Sequence, residues 1–147
     1  TEDTTGSGPP ARSFTAMAYD TVRDEIVLFG GFDGTNALND TWVYSGGNWT
    51  QKSPTNSPSI RSSHAMVFDA TLGKVVLFGG INGSTYFQET WTWDGTDWTQ
   101  ENPASSPPAR SDHGLAWDSS RQVTVLFGGV SSTSPFYFND TWEYGPD

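Results

Sequence analysis

Apolar residues along the chain fall into short runs of two kinds, and both kinds predict β-strands. One kind is apolar at consecutive positions, as in residues 26–29 (Ile-Val-Leu-Phe), which is typical of a strand that is buried on both faces. The other kind alternates: Trp42 and Tyr44 fall on one face of a strand, and the smaller residues between them on the other. Asp-Gly, Asn-Gly, Gly-Gly and Ser-Pro turn signals separate the runs. The pattern therefore predicts an all-β chain.

The pattern repeats along the chain with a period of about 50 residues. The tetrapeptide Leu-Phe-Gly-Gly occurs at residues 28–31, 77–80 and 126–129, and an ungapped alignment of 9–57 with 58–106 gives 20 identities in 49 columns. Each full repeat contains four predicted strands, a to d. Strand a is predicted at 15–20, 64–69 and 113–118, strand b at 25–30, 74–79 and 122–128, strand c at 40–44, 89–93 and 140–144, and strand d at 48–52 and 97–101. Four strands per 50 residues are typical of a propeller blade.

A diglycine after an apolar strand, an aromatic residue in strand c and a Trp in strand d resemble Kelch repeats over essentially the whole chain. The residues that carry this pattern, to which we assign structural roles, are Gly30, Gly31, Gly79, Gly80, Gly128, Gly129, Trp42, Trp91, Trp142, Trp49 and Trp98. The resemblance implies a Kelch-type β-propeller with strand a lining a central channel and strand d on the rim. We expect the diglycines where backbones of adjacent blades approach closely and φ is positive.

Three blades are too few to close a propeller, which typically has 4–8. We treat residues 1–147 as a single three-repeat unit (9–57, 58–106 and 107–147) and expect two copies to close as a six-bladed homodimer. Residues 1–7 align with strand d, so they are expected to complete the last blade of the partner by strand exchange. No residue among them matches Trp49 or Trp98. The alternative is that the chain is a segment of a longer propeller.

Composition narrows the classes of function. The net charge of −10, from 17 acidic against 7 basic residues, argues against a nucleic-acid partner. The chain has no Cys, which excludes disulfides, thiolate zinc sites and the Cys–Tyr crosslink of the copper oxidases among Kelch-like propellers. No apolar stretch approaches the roughly 18 residues of a membrane span, and no cofactor is expected. Turns rich in Thr, Ser and Asn fit an extracellular or cell-surface setting.

Basic residues and histidines recur at fixed places in the repeats and have two interpretations each. The arginines at the start of strand a could bind a carboxylate, sulfate or phosphate, or each could pair with the acidic residue that opens strand c. The two histidines could be metal ligands or acid–base groups, but we expect them to line the channel with polar partners. These residues are Arg12, Arg61 and Arg110, their possible partners Asp40, Glu89 and Asp140, and His64 and His113.

Aromatic residues in the b–c loops are the other candidates for ligand binding. Tyr86, Phe87, Phe136 and Tyr137, with the adjacent Phe138, could stack on sugar rings or anchor a protein partner. Alternatively, they fold inward over the blades.

No Ser-His-Asp order, phosphate loop or HExxH motif is present. The sequence therefore predicts a non-enzymatic binding or scaffold module that assembles with itself and binds a protein or glycan. The alternatives are a carbohydrate- or anion-binding propeller and, less favoured, a hydrolase or isomerase with its site in the channel.

Overall fold

The computed structural model describes residues 8–145, and this part of the chain contains β-strands but no helix. It accordingly includes no helix that could cross a membrane. The all-β prediction is confirmed. Residues 1–7, which we expected to act as a donated strand, lie outside the described residues.

Three antiparallel sheets follow one another along the chain, and we call them blades 1, 2 and 3. Blade 1 consists of β1 (Ala16–Asp20), β2 (Glu25–Phe32), β3 (Ala37–Ser45) and β4 (Asn48–Lys52). Blade 2 consists of β5 (Ala65–Asp69), β6 (Lys74–Phe78), β9 (Thr90–Trp93) and β10 (Trp98–Glu101), and the short strands β7 (Ile81–Asn82) and β8 (Thr85–Tyr86) form a hairpin in its b–c loop. Blade 3 consists of β11 (Gly114–Asp118), β12 (Val123–Phe127) and β13 (Thr141–Tyr144).

Within each blade the strands lie in the order a–b–c–d that the repeat predicts, except that blade 3 has three strands among the described residues. In blade 1, strands b and c are longer than predicted, because β2 and β3 continue pairing beyond an irregularity between Phe29 and Gly31. Strand b is the most buried element of blades 1 and 2, as its doubly apolar pattern predicts. The last residue of each strand a, an Asp, accepts hydrogen bonds from backbone N–H groups of the following turn, as expected for that residue type.

The diglycines bring the backbones of adjacent blades together. Gly30 and Gly31 have φ of 57° and 105°, and the Gly31 N–H donates to the carbonyl of Arg61 in blade 2 at 3.0 Å. A Cβ at Gly30 would lie 2.7 Å from that same carbonyl oxygen. Gly80 repeats the bond by donating to the carbonyl of Arg110 in blade 3 at 2.9 Å. The predicted close approach is confirmed, and a side chain at this position would force the blades apart.

The main apolar core lies between blades 1 and 2. It is built from the inner faces of both sheets and closed on the outside by Trp98, which is 1% exposed. At the other end of each sheet, strands a of neighbouring blades contact each other, β1 with β5 and β5 with β11. Side chains of these strands, Met17, Tyr19, Val67 and Trp117 among them, line a shallow concavity. The arrangement is consistent with a fragment of a Kelch propeller in which strand a faces the centre.

Candidate functional site

The repeated arginines form one cluster per blade with an acidic residue and a Trp. In blade 1, Arg12 makes two hydrogen bonds to the carboxylate of Asp40, at 2.6 and 2.9 Å, and the indole N–H of Trp42 donates to the same carboxylate at 2.6 Å. Blades 2 and 3 repeat the cluster with Arg61, Glu89 and Trp91, and with Arg110, Asp140 and Trp142. The structural interpretation of these arginines as ion-pair partners is therefore confirmed.

Each guanidinium group is also held by its own blade. Arg61, whose side chain is fully buried, donates to the carbonyls of Gly79 and Ser59 at 3.0 Å each, and its guanidinium carbon lies 4.1 Å from the centre of the Phe87 ring. Arg110 is bound in the same way, with its guanidinium carbon 3.9 Å from the centre of the Phe138 ring. The cluster thus ties the start of strand a to the diglycine and to strand c.

The ion pairs keep the acidic partners charged. For Asp40, burial opposes ionisation, but the hydrogen bonds from Arg12 and Trp42 outweigh burial and lower the pKa of the carboxyl group. The pKa of Glu89 is lowered by the same balance of causes. The hydrogen bond from Arg110 lowers the pKa of Asp140 to about 2. Because the positive charge is already compensated, the geometry gives no support to anion binding by these arginines, which stays an untested prediction.

The histidines are buried without the polar partners that we expected, and that expectation is wrong. Among residues 8–145, no group forms a hydrogen bond with a ring nitrogen of His64 or His113. Each ring lies edge-on to a Phe of the preceding blade, His64 against Phe29 and His113 against Phe78, at 5.5 Å between centroids. The backbone carbonyls of these Phe residues favour the protonated ring and raise the pKa, but burial has the larger effect. Burial therefore lowers the pKa of His64 to about 3 and that of His113 to about 4.

The aromatic residues of the b–c loops divide into two groups. Phe87 and Phe138 fold inward and stack on arginines, and Tyr86 is half-buried in the β7–β8 hairpin. Phe136 and Tyr137, by contrast, are 60% and 79% exposed. Phe87 and Phe138 are therefore packing residues, whereas the rings of Phe136 and Tyr137 are exposed to solvent.

Within residues 8–145, no group of three His, Asp or Glu side chains is arranged to hold a metal ion. The two histidines lie at the interfaces between different blades and next to arginines, Arg61 near His64 and Arg110 near His113. Asp112 acts electrostatically on His113, but no carboxylate among residues 8–145 forms a hydrogen bond with either imidazole.

Sequence reasoning missed two features. The first is a hydrogen bond within strand c, in which the indole N–H of the Trp donates to the carboxylate of the acidic residue two positions earlier. The acid-Thr-Trp order, which recurs in every repeat, could have indicated this bond. The second is a pocket between blades 2 and 3, lined by residues of β6, β9, β12 and β13. No local motif marks this pocket, because its lining residues come from two repeats and are far apart in the sequence.

Comparison with known proteins gives one family. A model of the KLHDC2/KLHL20/DRC7 Kelch-repeats domain matches residues 1–147. Among curated proteins, no significant match is found.

Proposed function

Because the chain belongs to the KLHDC2/KLHL20/DRC7 Kelch-repeat family, we propose that it is a non-enzymatic binding module whose three blades pair with those of a second copy to close a six-bladed ring. We call the contact between blade 3 of one copy and blade 1 of the other the seam. A two-fold arrangement makes two identical seams. Kelch-repeat domains are generally protein-binding modules, and closure supplies the rigid scaffold on which the loops are displayed.

The observation that carries this proposal is the burial of one repeated Phe. Phe29 in blade 1 is 0% exposed and Phe78 in blade 2 is 3% exposed, because each is covered by the following blade. Phe127, at the same position of blade 3, is 57% exposed. An open apolar blade face is costly in water and prone to association.

The backbone supports the same conclusion. The N–H groups of Gly31 and Gly80 donate to the next blade, whereas no carbonyl among residues 8–145 accepts from the N–H of Gly129. The N–H groups of Arg61 and Arg110 donate to the preceding blade, at 2.9 and 3.2 Å, whereas that of Arg12 has no such partner within the same residues. The two end faces thus present complementary sets of free groups.

Repeating the internal contacts across the seam gives a definite set of expected bonds. The N–H of Gly129 would donate to the carbonyl of Arg12 of the second copy, and the N–H of that Arg12 to the carbonyl of Phe138. Trp49 of the second copy would cover Phe127 as Trp98 covers Phe29, where the ring centroids are 5.2 Å apart. Residues 1–7 of the second copy would then run along β13 as a fourth strand.

Size-exclusion chromatography coupled to light scattering tests assembly. We expect the chain to be a dimer of twice its 16.0 kDa mass, with a dissociation constant that falls as salt screens the charge of −10 on each copy. Phe127→Asp should give a monomer, because it places a charge in the seam. Phe136→Asp is the matched control: the two Phe residues are 57% and 60% exposed, but only Phe127 lies on a blade face.

A chain that stays monomeric at high micromolar concentration would overturn the proposed dimer. Equal loss of assembly in both variants would overturn the assignment of the seam to the blade faces.

Phe136 and Tyr137 are the proposed contact residues for a partner, since they project from the loop of blade 3. Their exposed rings also favour a second candidate, stacking on a neutral sugar. Calorimetry with neutral oligosaccharides separates the two: heat of binding that is lost in Tyr137→Ala would support sugar binding, and its absence in the parent chain would leave a protein partner. A hydrolase or isomerase in the channel finds no support in the paired and isolated ionisable groups described above.

A further inference from the structure

We propose that a groove between the b–c loops of blades 1 and 2 is a binding site for a neutral saccharide. Phe14, Phe32 and Asn36 line it from blade 1, and Ser63 and Asn82 line it from blade 2. The groove measures about 420 Å³ and is partly open to solvent, which is the size of a small-molecule site. It includes no residue of blade 3, so this inference goes beyond the proposed function and depends neither on the seam nor on the exposed rings of blade 3.

The lining of the groove combines uncharged polar groups with aromatic rings. The side-chain amides of Asn36 and Asn82 and the hydroxyl of Ser63 form no hydrogen bond with other groups of residues 8–145. Phe14 and Phe32 supply the rings, and none of the described residues that line the groove is charged. A pyranose matches this lining, because its C–H face packs on an aromatic ring and its hydroxyls both donate to and accept from amides. An anionic ligand would meet no cation here.

The two walls are held by hydrogen bonds, so the groove is already formed in the free protein. In blade 1, the carboxylate of Asp33 accepts from the backbone N–H of Asn36 at 2.7 Å, which fixes the loop and leaves the side-chain amide of Asn36 available. In blade 2, Asn82 lies in the β7–β8 hairpin. The N–H of Ser63 donates to the carbonyl of Phe14 at 2.8 Å and joins the two walls. A preformed site loses little conformational freedom when a ligand binds.

Phe14 is the residue that most favours a ligand at this groove. Its φ is 53°, in the left-handed region, where a bulky residue is an outlier. The same repeat position in blades 2 and 3 has the same conformation, with φ of 54° and 55°, but carries the smaller polar residues Ser63 and Asp112. The ring of Phe14 is 62% exposed, so packing within residues 8–145 does not offset the strain. Strained residues of this kind cluster at ligand sites.

Saturation-transfer NMR with the methyl glycosides of glucose, galactose and mannose tests the site. Irradiation of the protein should transfer magnetisation to the ring C–H protons of at least one glycoside. The side-chain amide signals of Asn36 and Asn82 should shift along the same saturation curve. The uronic acid of the same sugar should bind about threefold more weakly at low salt, because the chain carries a charge of −10 and the groove offers no cation.

The decisive variant is Phe14→Ser, which removes the ring and installs the residue that blade 2 has at this position. Affinity should fall about tenfold through the loss of stacking, while the melting temperature should not fall, because the strain is relieved. Asn36→Ala should weaken binding about threefold to tenfold, as expected for one hydrogen bond. Tyr137→Ala and Asn102→Ala are the matched controls, an exposed ring and an exposed amide outside the groove, and should leave affinity unchanged.

Equal affinity of the parent chain and Phe14→Ser would overturn the proposal, as would no binding of any of the glycosides at millimolar concentration. A loss in Tyr137→Ala as large as that in Phe14→Ser would also overturn it, since the sugar would then lie on the loop of blade 3. The titration is repeated with Phe127→Asp, in which the proposed seam is broken. Unchanged affinity in this variant would support a site within one chain, and binding that requires the dimer would overturn that assignment.

Discussion

The two clefts between neighbouring blades are made from the same repeated sequence, yet one is closed and the other is open. Between blades 1 and 2, Trp98 is 1% exposed and covers Phe29, which is 0% exposed. Between blades 2 and 3, the corresponding positions Phe78, Thr90 and Tyr144 line a pocket, and no residue among 8–145 takes the place that Trp98 has in the first cleft. Phe78, at the repeat position of Phe29, is nevertheless 3% exposed, so the first three strands of the following blade bury this position, and strand d closes only the outer end of the cleft.

This dependence is expected of repeat proteins, in which each unit contacts only its neighbours and stability is a sum of unit and interface contributions. Substitutions at equivalent positions should therefore have unequal effects. The predictions below compare such positions. Stability measurements are best made in the Phe127→Asp background, so that assembly does not add to the free energy of unfolding.

The largest effect is expected at Trp98. Trp98→Ala removes a fully buried ring and its bond to Thr41, so it should lower the free energy of unfolding by about 3–5 kcal/mol. Trp49→Ala, at the same position of β4, removes a half-buried ring that packs on Tyr44 within its own blade, and should cost less than half as much. Urea denaturation measures both. Equal losses would mean that the cleft between blades 1 and 2 gives Trp98 no more stabilising contact than Trp49 has within its own blade.

A smaller effect is expected at the buried ion pairs. Arg61→Ala should cost about 3 kcal/mol, at the low end for a broken buried pair, because the side chain of Glu89 is 32% exposed and water can reach it. Arg121→Ala is the control: its side chain is 53% exposed and pairs with the partly exposed Asp118 and Glu143, so the loss of stability should be clearly smaller than that for Arg61→Ala. Similar losses for the two variants in urea denaturation would show that the buried cluster adds no stability of its own.

The sequence predicts the features that arise within one repeat, but it does not predict the contacts between residues of different blades. The strands, the turn-capping Asp residues and the Arg–acid pairs follow from local pattern and from exact repetition, as with Arg12 and Asp40. The lack of polar partners for His64 cannot be predicted from the local pattern, because its neighbours Phe29 and Arg61 belong to two different blades. The exposure of Phe127 does not follow from the repeat pattern, because Phe29 and Phe78 at the same repeat position are buried by the blade that follows each of them.

The histidines predict a loss of stability in mild acid. Their pKa values in the folded chain, about 3 for His64 and about 4 for His113, lie below the ordinary value of 6.5, so the unfolded chain binds more protons between these limits. Stability should therefore fall as pH falls from 7, by about 2 kcal/mol per histidine at pH 5. Arg61 and His113 near His64, and Arg110 near His113, act in the same direction, and Asp112 opposes the shift of His113.

The carboxylates do not account for this loss of stability between pH 7 and pH 5. The lowered pKa values of Asp40, Glu89 and Asp140 stabilise the fold above their ordinary values near 4, and that contribution is lost only at lower pH. Urea denaturation at pH 7 and pH 5 should give a smaller difference for His64→Thr, which installs the residue that blade 1 has at this position, Thr15. An unchanged difference would mean that the imidazole of His64 is hydrated in solution.

The smallest effect is expected at the loop rings of blade 3, and it sharpens the distinction between residues that build the fold and residues that are free to bind. Tyr137→Ser and Phe136→Ser should each change the free energy of unfolding by no more than about 0.5 kcal/mol, because the rings are 79% and 60% exposed. Phe87→Ser, in the corresponding loop of blade 2, should cost clearly more, since its ring carries the guanidinium of Arg61 at 4.1 Å. Thermal unfolding of the three variants compares them directly. A loss at Tyr137 as large as that at Phe87 would mean that the ring packs in solution, and would remove the proposed contact surface for a partner; an unchanged melting temperature would leave both rings available to it.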